Sequence, residues 1–293
     1  MVKRRIMSKE KRLLFWKCFG QCYIWLLLIL MYLPVIVLMI YSFTVGEGGG
    51  DLNLGEWGHF SFDLYVRLFK DVQVQRAIGN TVIIALLSAT LSTIIGTLGA
   101  IGVYECKKLP KRSLEFITQI PVVNPEIVIA LSLIVVFVSL GVQLSFWTLL
   151  LGHLVLTLPF VYLSVKPKLM QMDPQLYEAA LDLGCTPRQA LRKAVFPEIV
   201  PGILSGFLIA ITLSLDDFIV TAFTTGPGLL SGKSDIQTIS TYVEGIIKKH
   251  PLPAELRALC TLIFALVLLL AIFFTIYQNK KAKMSKKRKG RAY

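Results

Sequence analysis

Long apolar stretches alternate with shorter polar stretches along the whole chain. Each apolar stretch reaches or exceeds the roughly 20 residues that an α-helix needs to cross the hydrocarbon core of a bilayer. The pattern therefore predicts an all-α membrane protein with six membrane-spanning helices. The predicted spans cover residues 22–43, 77–104, 117–140, 144–165, 199–223 and 258–277.

The loops between the predicted spans are too short to hold a separate soluble domain. The three longest are residues 44–76, 166–198 and 224–257. We therefore expect one transmembrane domain over residues 1–293. The first span is expected to stay in the protein, because its exit YSFTVGEGGG lacks the small-x-small site of a cleaved signal peptide.

Basic residues fall mainly on one side of the predicted membrane. The formal net charge is +13, from 31 Lys and Arg against 18 Asp and Glu. Six spans would place 24 of these Lys and Arg on the side of both termini and seven on the other side. The positive-inside rule then puts both termini in the cytoplasm. Topology and anionic lipid account for the excess charge, so we expect no nucleic acid partner.

Several kinds of chemical site are not expected. The five cysteines are scattered without a Cys-x-x-Cys pair, and the chain has only three histidines, so neither disulfides nor a metal site is predicted. The segment GPGLLSGKS, residues 226–234, resembles a nucleotide-binding P-loop, but Pro227 stands where that motif needs glycine. Ser214 beside Asp217, or the isolated His153, forms no recognisable nucleophile–base pair. We therefore expect no enzyme activity in this chain.

The predicted cytoplasmic loop, residues 166–198, has a helix–glycine–helix pattern. Asp173 is a suitable N-cap for the first helix, and Gly184 is a suitable residue to end it. The sequence from Thr186 to Gln189 matches a capping box that would start a second helix. Pro197 and Pro201 are expected to end this second helix before the next span.

The first helix of this loop has an apolar face. Helical spacing places Leu176, Tyr177, Ala180 and Leu183 on that face. Periodicity alone fits a helix that docks on protein and an amphipathic linker that lies on lipid equally well.

The same loop resembles the EAA loop of ABC importer permeases. The matching residues are Glu178, Ala179, Ala180 and Gly184. The chain departs from the usual Ile-x-Leu-Pro ending of the motif at Ala194 and Phe196 but keeps Pro197. In that family the loop docks into a groove on the ATPase subunit. The resemblance therefore implies that the four matching residues couple this chain to an ATPase.

Further motifs are similar to those of permeases in spermidine/putrescine importers. They are Pro125–Ala130, Leu158–Phe160, Leu213–Asp217 and Thr225–Pro227. Aspartate is the commoner residue in that family where Glu126 stands. The negative charge is therefore kept, but the side chain that carries it has a different length. The resemblance covers nearly the whole chain and implies the type I ABC importer permease architecture. It also implies a multi-pass protein of the bacterial cytoplasmic membrane that moves polyamines.

The resemblance implies several partners. They are an ATPase dimer that binds ATP and Mg, a second homologous permease and an extracytoplasmic polyamine-binding protein. The chain itself is expected to hold no cofactor and no metal. Two alternatives stay open: an ABC importer permease for another small solute, and an ion-coupled secondary transporter. The second class also carries intramembrane carboxylates but often shows inverted repeats.

Two adjacent carboxylates lie in the fifth predicted span, within LSLDDFIV. A continuous helix would put Asp217 on one small, polar face, which suits a bundle interior or a watery path better than lipid. Asp216 would lie about 100° round the helix. The residues of the predicted face are Gly206, Ala210, Ser214, Asp217, Thr221 and Thr224.

A third acidic residue, Glu126, follows Asn124 and Pro125, a pair that predicts a break in the third span. Counting helical rise from the cytoplasmic end puts Glu126 about 14 Å into the membrane and Asp216 and Asp217 about 25–27 Å in. Two depths of negative charge would suit a linear organic polycation. The predicted substrate pathway comprises Asp216, Asp217, Glu126 and Ser214. Alternatively, the carboxylates cap a broken helix or pair with a cation of a partner subunit.

Overall fold

The structure is a computed structural model. It describes residues 9–45, 59–106, 108–225, 236–248 and 256–265, together with 268, 269, 272 and 276. The P-loop-like segment 226–234, the end of the motif Thr225–Pro227 and most of the C-terminal half of the sixth predicted span lie outside these residues. The chain divides into two compact units, one of residues 72–249 and one of residues 1–71 with 250–293.

The unit that contains the N-terminus is built on one long apolar helix. Its elements are α1 (Lys9–Ser42), β1 (Thr44–Val45), β2 (His59–Phe60), α2 (Asp63–Lys70) and α12 (Leu256–Ala265). The short strands pair antiparallel, with Thr44 opposite Phe60. The rings of Phe43 and Phe60 stack beside this pair at a centroid distance of 5.8 Å. The six-span prediction included no strand, so this small β pair is an addition to it.

The other unit contains the remaining helices. They are α3 (Val72–Glu105), α4 (Lys108–Val123), α5 (Glu126–Ser139), α6 (Phe146–Gln171), α7 (Gln175–Asp182), α8 (Pro187–Ala190), α9 (Phe196–Asp216), α10 (Ile219–Thr224) and α11 (Ile239–Ile247). The helices α3, α6 and α9 pack on one another and form the centre of the unit. Small residues allow the close approach of α6 and α9, since a Cβ added at Gly206 would lie 3.1 Å from Cα of Val161.

Four helical segments in the described part of the chain are long and apolar enough to cross a membrane. They are Trp16–Ser42, Val72–Glu105, Phe146–Gln171 and Pro187–Asp216. The pair α4 and α5 makes a fifth candidate span if it is counted as one bent segment. The axes of its two halves differ by 107°. The break falls at Asn124 and Pro125, so the prediction of a break there is confirmed.

The helix that leads into α9 does not end at its prolines. Residues Pro187–Asp216 form one continuous helical segment, and the prediction that Pro197 and Pro201 would interrupt it is wrong. The reason is a π-helical turn at Leu191–Val195, in which the amide of Phe196 donates to the carbonyl five residues earlier. After this wider turn Pro197 falls in the first turn of α9, where proline is tolerated, and Pro201 is accommodated inside α9.

Candidate functional site

The helix of the fifth predicted span is broken in the middle of LSLDDFIV. Helix α9 ends at Asp216, and α10 begins at Ile219. Asp217, between them, has an extended backbone with φ −66° and ψ 125°. The prediction that Asp217 lies on one continuous helical face is therefore wrong. Neither proline nor glycine occurs in this stretch, so the local sign of the break is Asp217 itself, which fits the alternative expectation of a carboxylate that caps a broken helix.

The carboxylate of Asp217 caps the first turn of α10 through hydrogen bonds. Its Oδ2 accepts hydrogen bonds from the amide of Thr221 at 2.8 Å and from the hydroxyl of Thr221 at 3.1 Å. Its Oδ1 accepts from the amide of Val220 at 3.2 Å. Asp217 is only 5% exposed. Three donors thus offset the cost of burying its charge, and the residue acts as a helix cap.

A buried histidine joins this cap to two other helices. His153 of α6 is 0% exposed. Its Nδ1 lies 2.8 Å from Oγ of Ser214, and its Nε2 lies 2.9 Å from Oγ1 of Thr221. The hydroxyl of Ser88 on α3 in turn donates to Ser214 at 3.0 Å. We call Ser88, Ser214, His153, Thr221 and Asp217 the buried network.

In the sequence His153 stands isolated, and this network is not apparent there. Its ring contacts residues 61 and 68 positions further along the chain. No local spacing shows such a pairing. The only sequence signal is that His153 and Thr157 lie one turn apart in an apolar helix, where buried polar groups need partners.

The other two predicted acidic residues lie on the exposed surface of the unit. Asp216 is the last residue of α9, and Glu126 is the first residue of α5. Neither has an ion-pair partner within 4 Å among the described residues. Their carboxylates are therefore open to a charge from outside the described residues.

Glu126 lies close to the helix break. Helix α5 packs on α10, with Ala130 against Val220. As a result, the charge of Glu126 interacts with the charges of Asp217 and Asp216. We call these three residues the acidic cluster. The two separate depths stay a prediction. The segment bends by 107° just before Glu126, so helical rise alone does not give the position of its carboxylate.

The residues predicted to contact an ATPase lie on the exposed loop between α6 and α9. Asp173 Oδ1 accepts a hydrogen bond from the amide of Gln175 at 2.9 Å, at the start of α7. After α7, Gly184 takes the left-handed conformation with φ 84°. The backbone amide of Thr186 donates to the side chain of Gln189 at 3.0 Å, and α8 begins there. The predicted helix–glycine–helix pattern, with its caps, is confirmed.

Helix α7 is attached to the unit by one side and exposed on the others. Tyr177 packs against the core of α3, α6 and the π-helical turn. Glu178 and Ala179 are exposed, Ala180 is half-buried, and Leu183 is 86% exposed. The predicted apolar face therefore divides, with Tyr177 turned inward and Leu183 outward.

No group of three or more His, Cys, Asp or Glu side chains in the described residues could hold a metal ion.

Comparison with known proteins agrees with this architecture. Residues 92–284 match the family model described as "Binding-protein-dependent transport system inner membrane component". The chain is 33% identical over 253 residues to the spermidine/putrescine transport system permease protein PotC of Escherichia coli strain K12, covering 86% of this chain and 91% of PotC. It is 31% identical over 245 residues to the putrescine transport system permease protein PotI of the same strain, covering 81% and 82%.

Solved structures show the same fold. A chain of a bacterial ABC transporter involved in the import of alginate aligns with TM-score 0.68 and 21% identity, over 93% of this chain and 96% of that chain. The MetNI methionine ABC transporter in an inward-facing conformation aligns with TM-score 0.54 and 19% identity, over 74% and 95%. The chain is thus a multi-pass protein of the cytoplasmic membrane. The family match and the relatives confirm the predicted resemblance, and the chain belongs to the binding-protein-dependent transport system inner membrane components, the permease subunits of ABC transporters.

Proposed function

We propose that this chain is the permease subunit through which an ATP-driven ABC importer moves polyamines such as spermidine and putrescine. The observation that carries the proposal is the acidic cluster, with Glu126 and Asp216 exposed and unpaired among the described residues beside the buried charge of Asp217. The names of the relatives PotC and PotI point to the same class of substrate.

The acidic cluster suits a linear organic polycation. Carboxylates inside a membrane-spanning region are costly unless a cation or water meets them. A polyamine carries ammonium groups along a methylene chain, so one group can bind Asp216 while another binds Glu126 through charge-assisted hydrogen bonds. In this proposal Asp217 and Ser214 belong to the pathway wall. Asp217 contributes negative charge from its capped position, and Ser214 contributes support from the buried network.

We propose that the whole chain forms one permease domain with six spans and with both termini in the cytoplasm. Four long helical segments and the bent pair of α4 and α5 support five of these spans, and the apolar helix α12 lies in the sixth. The distribution of Lys and Arg supports the orientation. A second homologous permease would complete the pathway, since one side of the acidic cluster is exposed.

The remaining proposed partners are an ATPase dimer and an extracytoplasmic binding protein. Helix α7 presents Glu178 and Ala179 to the outside, as a docking element requires. ATP and Mg would be bound by the ATPase, and this chain would hydrolyse nothing itself. One structural relative is an alginate transporter solved with its periplasmic protein, which supports a delivery partner of that kind.

The energy source of transport distinguishes this proposed ABC importer from an ion-coupled secondary transporter. The chain is reconstituted with its ATPase, second permease and binding protein, and uptake of labelled spermidine is followed with ATP or with an ion gradient alone. We expect uptake that needs ATP and every subunit. Uptake by this chain alone, driven by a proton or sodium gradient without ATP, would show a secondary transporter instead.

A glycine in the loop provides a test of ATPase coupling. Gly184→Val is expected to lower ATP-driven uptake about tenfold, because a β-branched residue at φ 84° costs about 1–3 kcal/mol and turns the end of α7 away from its docking position. The measurement is ATPase stimulation and uptake in the reconstituted complex. Gly141→Val is the matched control, since Gly141 also has positive φ, 67°, but lies between α5 and α6. Equal losses in both variants would refute a coupling role for this loop.

A further inference from the structure

The buried network joins four helices around the break between α9 and α10. Ser88 lies on α3, His153 on α6, Ser214 on α9 and Thr221 on α10, and Asp217 lies in the break itself. Each of these residues is at most 5% exposed. Polar side chains are rarely buried so completely in a membrane-spanning bundle without a reason, because each one must find its partners inside the protein.

The donors and acceptors of the network fix the tautomer of the histidine. Backbone amides donate to both carboxylate oxygens of Asp217, so this carboxylate acts as an acceptor and the hydroxyl proton of Thr221 goes to it. Thr221 must then accept a proton from Nε2 of His153. The Nδ1 atom is left to accept from Ser214, which accepts from Ser88. A neutral imidazole with its proton on Nε2 therefore satisfies the four side-chain bonds from Ser88 to Asp217 in one continuous direction.

His153 acts on the acidic cluster through Thr221. The distance from Nε2 of His153 to Oδ2 of Asp217 is 3.6 Å, which is too long for a hydrogen bond. The same threonine also gives its amide and its hydroxyl to Asp217. His153 thus holds Thr221, and Thr221 donates the hydrogen bonds that hold the carboxylate of Asp217 at the start of α10.

Helix α10 packs directly on α6. A Cβ added at Gly152 would lie 2.7 Å from Cγ1 of Val220, so the two helices touch there. The hydroxyl of Thr148 donates to the carbonyl of Thr224 at 2.8 Å. His153, next to Gly152, is therefore held against α10, on the C-terminal side of the break.

We propose that His153 is a positioning residue for the acidic cluster. By holding Ser214 before the break and Thr221 after it, His153 keeps Asp217 capped and keeps the adjacent Asp216 exposed beside Glu126. This inference rests on the proposed function, since it takes the acidic cluster to be the place where the transported cation binds.

Three variants in the reconstituted complex test this role by transport kinetics. His153→Phe keeps a ring but removes both nitrogens, and we expect the KM for spermidine to rise about tenfold, with a much smaller change in the maximal uptake rate. His153→Gln retains an amide donor for Thr221 and is expected to restore the KM to within about threefold. Thr157→Val is the control, because it removes buried bonds of α6 to Ser92 and to the carbonyl of His153 without touching the break.

The outcomes separate positioning from general packing. Equal changes in KM for His153→Phe and Thr157→Val would overturn the proposal, as would an assembled His153→Gln complex with the KM of His153→Phe. If His153→Phe does not assemble, the tautomer of His153 in the wild-type complex decides, and a proton on Nδ1 overturns the proposal. A wild-type complex that carries no polyamine would instead refute the proposed function on which the inference rests.

The tautomer gives a readout that does not depend on transport. The chain has only three histidines, so the signals of His153 in a 15N-histidine-labelled complex are those missing from His153→Gln. We expect a neutral ring with a protonated Nε2 and an accepting Nδ1 at neutral pH. A proton on Nδ1, or on both nitrogens, would overturn the direction of the network and with it the link to Asp217.

Discussion

Replacing Glu126 with Gln and Asp216 with Asn together is expected to raise the KM for spermidine uptake at least tenfold. Both carboxylates are exposed and without ion pairs among the described residues, so neutralising them removes charge without breaking any ion pair in that part of the chain. Losing one charge-assisted contact of about 1.4 kcal/mol corresponds to a tenfold loss of affinity. The measurement is the initial rate of ATP-driven uptake against spermidine concentration.

The control for this double variant is a carboxylate on the same helix. Glu198→Gln neutralises an exposed residue in the first turn of α9, at the opposite end from Asp216. We expect its KM to stay within about twofold of wild type. A fully assembled double variant with the kinetics of Glu198→Gln would refute cation binding at Glu126 and Asp216.

Asp217→Ala is expected to lower stability by about 2 kcal/mol or more, in contrast to the exposed carboxylates. The substitution removes the acceptor of two backbone amides and of the hydroxyl of Thr221, all in a buried site. The start of α10 should then lose its order, and assembly with the other subunits should fall together with uptake. The measurements are thermal unfolding in detergent and the yield of assembled complex.

The matched control is an aspartate that caps an exposed helix. Asp173 accepts a hydrogen bond from the amide of Gln175 at the start of α7. Asp173→Ala is expected to cost only about 0.5–1 kcal/mol, because water replaces the lost acceptor. An Asp217→Ala protein as stable as Asp173→Ala, with uptake still lost, would mean that Asp217 meets the substrate directly and that its capping role is minor.

Local signals in the sequence were enough to predict the loop and one of the two helix breaks. The cap at Asp173, the positive φ of Gly184 and the capping box at Thr186 all depend on residues within a few positions of one another. The break before Glu126 likewise follows from Asn124 and Pro125, since proline lacks the N–H of a regular helix. Such features do not depend on how the helices pack on one another.

The second break is expected from the sequence only as an alternative, because its local signal is the single capping residue Asp217 and its other contacts come from residues distant along the chain. In LSLDDFIV the break depends on Asp217 reaching Thr221 and on His153 bridging Thr221 and Ser214 across two helices. The position of Glu126 depends in the same way on how α5 packs on α10. Counting helical rise along separate spans does not show that the charge of Glu126 interacts with those of Asp216 and Asp217.

The polyamine assignment is tested most directly by substrate competition in proteoliposomes that hold the complete transporter. Uptake of labelled spermidine is measured with excess unlabelled putrescine, and in parallel with an uncharged sugar or an anionic oligosaccharide at the same concentration. The acidic cluster predicts that putrescine inhibits uptake and that the sugar and the anion do not. Inhibition by the sugar or the anion, with none by putrescine, would contradict polyamine import and leave only the assignment as an ABC importer permease.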